Sequence, residues 1–185
     1  MCGLMETFTE PRPLVANARY ADERRTALDA LDLAAVDDPI IDIVEAFELL
    51  PHCFTLQSCY GHFVTAARQD ERSLAAIPDG HSGSVRYRVA YVAFCVENGE
   101  RGRAFLDKLS RIPVADPAYI QFGSAGWFWD QWVNSYVLQV EPAAHRFKDQ
   151  AALAAGEAVH TQRVRDAFFA ELRQLLAEEL DRLAT

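Results

Sequence analysis

The sequence predicts an α/β (α+β) domain in which a mixed β-sheet is flanked by helices and followed by a long C-terminal helix. Three observations carry this. Segments with apolar residues at helical spacing alternate with segments of period-two alternation. "VRYRVAYVAFCV" is apolar on both faces in its second half, as a central strand is. From about residue 147 to 183 a single helical stripe runs through Val164, Phe168, Leu172, Leu175, Leu176 and Leu183, with charges opposite. Half of the 185 residues are hydrophobic and 24% are charged. No Ser/Gly-rich or proline-rich run is long enough to be a linker. The disordered and fibrous classes therefore drop out, and one domain over residues 1–185 is expected.

The elements follow in chain order. Residues 1–20 show little periodicity. An N-terminal helical segment is expected over about 20–36, where Leu28, Leu31 and Val36 recur among mixed charges, and the core over about 38–140. In "DDPIIDIVEAFELLP", Asp38 can cap and Pro39 suits the first turn. Ile40, Ile43, Val44, Phe47 and Leu50 then form a stripe that Pro51 ends. "HCFTLQS" reads as a strand with Phe54 and Leu56 on one face, running into a corner at Gly61. "HFVTAA" would return antiparallel, and Pro78, Asp79, Gly80 and Gly83 mark a loop. After the central strand, "ENGERGRAFLDKLSRI" turns Phe105, Leu106, Leu109 and Ile112 to the sheet. "AYIQFGSAGWFWDQWVNSYVLQVEP" reads as two strands joined through a small-residue and aromatic segment.

Charge and cysteine usage narrow the function. The net charge of -9, with two lysines among the 18 basic residues, argues against a broad phosphate-binding surface and so against tRNA or other nucleic acid as a partner. Cys2, Cys53, Cys59 and Cys95 form no CxxC and are expected to be reduced thiols. The start of the chain lacks the basic and apolar regions of a signal peptide, and no apolar run approaches a membrane span. A cytoplasmic location, with no membrane partner, is the expectation.

The chemistry-bearing corner is "FTLQSCYGHF". A cysteine close to a histidine at a strand end can form a thiolate–imidazolium pair, which makes Cys59 and His62 the catalytic candidates. The plainer alternative is that Cys59 packs as a small apolar residue while His62 hydrogen-bonds the loop. No metal is expected. His52, Cys59, His62, His81 and Cys95 are zinc-type ligands, but their spacing matches no HExxH or paired CxxC pattern. "GSAGW" is a weak match to a phosphate-binding turn. If the following segment is extended, Trp127 and Trp129 share one face while Phe128, Asp130 and Trp132 share the other. One of these faces could offer an aromatic wall to a planar ring, with core and hairpin packing the plainer reading.

The corner, the helix before it and the strand–helix unit with its hairpin together resemble the tRNA wybutosine-synthesizing methyltransferase family, whose hallmark is a Ser-Cys-Ser-Gly-Arg corner after a Thr/Ser-rich strand. Ser58, Cys59 and Gly61 match it over a resemblance spanning roughly Asp38 to Val140. Tyr60 replaces the second Ser, and His62 stands in place of the Arg, removing a permanent cation. The resemblance implies S-adenosylmethionine as cofactor and group transfer as the reaction. Ser58 and Gly61, with Trp127 and Asp130 from the aromatic segment, are then the cofactor-binding candidates. A small-molecule or nucleotide-like ligand is the implied partner. The second reading is a non-catalytic binding protein or a homodimer built on the C-terminal helix.

Overall fold

The computed structural model describes residues 10–67, 70–124, 126–146 and 149–184, leaving aside the side chains of residues 126 and 127. It has the α+β class that the sequence predicts. The helices are α1 (Tyr20–Ala30), α2 (Ile41–Leu49), α3 (Glu100–Leu109), α4 (Gly126–Gln131) and α5 (Ala155–Ala184). The strands are β1 (Cys53–Cys59), β2 (His62–Thr65), β3 (Val85–Arg88), β4 (Ala90–Val96), β5 (Ile120–Gly123), β6 (Ser135–Val140) and β7 (Gln150–Leu153). They form two sheets, in the orders β1-β4-β6-β5 and β2-β3-β7. Every described ladder is antiparallel, so the sheet is not mixed in strand direction.

The central segment is one run in sequence but two strands in space. It leaves the three-stranded sheet after Arg88 and enters the four-stranded sheet at Ala90. The break keeps its polar groups paired: Val89 N–H donates to Asp149 O at 3.1 Å, and Ala90 N–H to the Tyr87 hydroxyl at 3.0 Å. That hydroxyl donates in turn to Val140 O at 2.9 Å. The partner chain bends at the same level. β1 runs beside β4 as far as Cys59 opposite Tyr91, and β2 takes up beside β3 with His62 opposite Arg88. β2 therefore pairs with β3 and does not return against β1.

Adjacent strand residues face opposite ways, so the four-stranded sheet carries two apolar faces. Cys53, Val92, Phe94, Val96 and Leu138 join the main core with Ile40, Ile43, Phe47 and Leu50 around α2, Phe105 and Leu109 of α3, and Phe168, Leu172 and Leu176 of α5. Phe63, Val85, Tyr87 and Leu153 of the second sheet belong to the same core. On the other face Phe54 and Cys95 pack with Tyr20, and Ala93 and Val137 with Phe128. Each fully buried aliphatic side chain of this kind contributes about 1.5–3 kcal/mol.

Two boundaries differ from expectation. The C-terminal helix begins at Ala155 and not near 147, because Gln150–Leu153 pairs with β3 as an edge strand. Its alanines and leucine suit a helix, but ladder hydrogen bonds and the burial of Ala151 and Leu153 outweigh that preference. The core consequently extends past 140 into α5. The β5–β6 hairpin forms as predicted, with α4 inserted between its strands where an extended segment was expected. Phe128 and Trp132 lie four apart and can share one helical face. The segment closes at Asn134, whose φ of 64° lies in the left-handed region. Its side-chain amide accepts from Val15 N–H at 2.9 Å and donates to Val15 O at 2.8 Å, tying the N-terminal segment to the sheet. No described helix is long and apolar enough to cross a membrane.

Candidate functional site

The corner is the bend at which the chain passes from one sheet to the other, and Gly61 makes it possible. Its φ is +86°, and a Cβ there would stand 2.7 Å from the Ala90 Cβ, so the two backbones approach more closely than any side chain allows. Residues on either side are thereby turned inward together. Cys59 at the end of β1 and His62 at the start of β2 are 4% and 3% exposed.

A third group joins them from outside the motif. Asp37, just ahead of the turn that begins α2, places Oδ2 3.3 Å from His62 Nε2 and accepts the Tyr60 N–H at 2.8 Å. One donor atom each from Asp37, Cys59 and His62 lie within 4.8 Å of one another. Gly61 N–H points at Cys59 Sγ across 3.4 Å. The carboxylate and then the cysteine favour the protonated imidazole, outweighing burial, and push the His62 pKa up to about 10. Burial would raise the Asp37 carboxyl, but the hydrogen bonds from His62 and from the Tyr60 amide hold it below its ordinary value. At neutral pH the pair is therefore imidazolium and carboxylate.

A permanent cation reaches the corner from α5. Arg165, 4% exposed, donates to Gly61 O at 3.0 Å and to Asp166 Oδ1 at 2.9 and 2.8 Å. Its guanidinium carbon lies 4.0 Å from the ring centroid of Tyr60 and 5.0 Å from that of Phe63. The Tyr60 hydroxyl donates to the same Asp166 oxygen at 2.9 Å, and its ring stacks on Phe169. The bend is thus clamped from α5 by charge, hydrogen bonds and stacked rings.

In front of the corner lies a concavity of about 650 Å³. Its wall combines Gln57 and Ser58 of β1 and Tyr91 of β4 with Phe128, Gln131 and Trp132 around α4, and Arg88 and Val36 stand on its margin. The Tyr91 hydroxyl donates to Gln57 Oε1 at 3.3 Å. Trp132 meets Phe54 edge to face, which fixes its ring. Ser58 lines the concavity, whereas Cys59, opposite Tyr91 in the ladder, is buried and does not line it.

The sequence-predicted residues thus divide. Cys59 and His62 come together, Gly61 makes the bend, and Ser58 lines the concavity. Asp130 is exposed on α4, and the side chain of Trp127 lies outside the described residues. The aromatic segment reaches the concavity through Phe128, Gln131 and Trp132. Sequence reasoning missed Asp37 and Arg165. Asp37 only precedes the predicted cap Asp38, and Arg165 is one more charge opposite an apolar stripe; only tertiary structure joins them to the corner.

No family model matches the chain, and no curated protein matches it. Among solved structures, the PH1069 protein from Pyrococcus horikoshii is similar at 13% identity with a TM-score of 0.47, over 87% of this chain and 94% of that one. A second structure, of the PH1069 protein from Pyrococcus horikoshii OT3, gives 15% identity and a TM-score of 0.42 over 90% and 92%. A hypothetical protein from Aeropyrum pernix gives 11% and 0.36, over 75% of this chain and 98% of that one.

Proposed function

We propose that this protein binds a small planar, nucleotide-like ligand in the concavity in front of the corner, S-adenosylmethionine being the first candidate, and that it serves group transfer of the kind its corner resembles. The observation that supports this reading is convergence. The corner and the aromatic segment, unrelated in sequence, contribute Ser58, Phe128, Gln131 and Trp132 to one concavity. Ligand sites commonly measure about 300–1,000 Å³ and combine apolar walls with a few convergent polar groups. Tyr91 and Trp132 offer ring faces or edges, Gln57, Ser58 and Gln131 offer hydrogen bonds, and Arg88 offers a cation at the margin. The net charge of -9 favours a small ligand over tRNA.

Cys59 and His62 act here as positioning residues, since both are buried and neither lines the concavity. That burial also supports a second reading, in which the concavity binds its ligand and no chemistry follows. Calorimetric titration with S-adenosylmethionine tests the binding step. Loss of base–aromatic stacking costs about 1–3 kcal/mol, so Trp132→Ala should weaken affinity roughly 5- to 150-fold. Absence of heat with folded wild-type protein would overturn the choice of ligand.

A further inference from the structure

Beside the concavity, the cluster of Asp37, Cys59 and His62 has features that a ligand there does not use. A tetrahedral zinc-class ion, with bonds of about 2.0–2.3 Å, separates its ligand atoms by roughly 3.3–3.8 Å. The Asp37 to His62 separation of 3.3 Å already fits one such edge, and all three donor atoms lie within 4.8 Å.

Backbone amides point the same way. The Gly61 amide is aimed at Cys59 Sγ, where it would stabilise a thiolate, and the Tyr60 amide holds the carboxylate oxygen. Amides placed in this way are the outer contacts that orient metal ligands. Asp37, with a side chain 23% exposed, leaves a route to solvent, whereas Cys59 and His62 are enclosed.

We propose that Asp37, Cys59 and His62 bind a single divalent cation of the zinc class, with one sulfur, one nitrogen and one oxygen from the protein and a water in the fourth position. Binding releases the thiol proton and the imidazolium proton to solvent, leaving thiolate and neutral imidazole as ligands. The ion would join the turn before α2, the end of β1 and the start of β2, whose neighbours Val36 and Ser58 line the concavity. The proposal does not depend on which ligand the concavity takes.

Cobalt(II) added to the metal-free wild-type protein tests it. The expected result is one equivalent bound, with a thiolate-to-cobalt charge-transfer band, the d–d bands of a tetrahedral ion, and displacement by zinc. Cys59→Ser should abolish the charge-transfer band, and His62→Ala should weaken binding at least tenfold. X-ray absorption of zinc-loaded wild-type protein needs no variant and should show one sulfur scatterer among nitrogen and oxygen. A zinc shell without sulfur, or cobalt binding that is unchanged in folded Cys59→Ser, would overturn the assignment and leave only adventitious surface histidines.

Discussion

Replacing Gly61 by alanine tests the physical basis of the bend. Two costs follow from the structure. The φ of +86° lies where an L-residue loses about 1–2 kcal/mol. The added methyl would stand 2.7 Å from Ala90 Cβ, 3.1 Å from Ala90 N and 3.2 Å from Ala90 Cα, and overpacking of that kind costs about 1–3 kcal/mol. Together they predict a loss of about 2–5 kcal/mol. At roughly 2–4 °C per kcal/mol for a chain of this size, the melting temperature should fall by about 4–20 °C. Ala90→Gly removes the closest contact but neither the backbone contacts nor the left-handed φ. The double variant should therefore recover part of the loss, with a coupling of about 0.5–3 kcal/mol in a denaturant double-mutant cycle. Additive effects, or an unchanged melting temperature in Gly61→Ala, would refute the close approach of β1–β2 to β3–β4 at this point.

Two further outcomes follow. Leu172 is fully buried in the core beneath α5; Leu172→Asp would leave an unpaired carboxylate there and should cost several kcal/mol, read as a cooperative loss of thermal stability, whereas an unchanged melting temperature would make α5 an exposed appendage. In metal-free protein the folded-state pKa of His62 lies near 10 against an ordinary 6.5, so its contribution to stability is full below about pH 6.5 and is lost as the pH rises towards 10; urea midpoints across that window should decline for wild type and flatten for His62→Gln, and parallel slopes would contradict the ion pair with Asp37.

Much of the fold was legible because burial and period agree. Along α2 and its two flanking residues the predicted stripe of Ile40, Ile43, Val44, Phe47 and Leu50 is buried in full, and the corner falls where glycine interrupts an alternating strand. The misreadings have physical causes. The break at Val89 carries no glycine or proline, because the Tyr87 hydroxyl and Asp149 carbonyl satisfy the backbone there. The aromatic run fits strand spacing and i, i+4 helical spacing alike, so α4 was hidden. Of the site, the motif supplied Ser58, Cys59, Gly61 and His62. Asp37 and Arg165 are distant in sequence from the corner, and an acid at a helix start or an arginine on an amphipathic helix more often faces solvent than a corner.

The central claim is that the concavity between the corner and α4 holds a nucleotide-like ligand, and an amide-resolved NMR titration of the folded protein with S-adenosylmethionine tests it most directly. The account predicts saturable shifts concentrated at Gln57, Ser58, Tyr91, Gln131 and Trp132, which are lost in Trp132→Ala while the rest of the spectrum stays folded. Shifts centred elsewhere, for example on the surface groove at Pro11–Leu14 beside Arg103 and Asp107, or no shifts at ligand concentrations of about 1 mM, would contradict it.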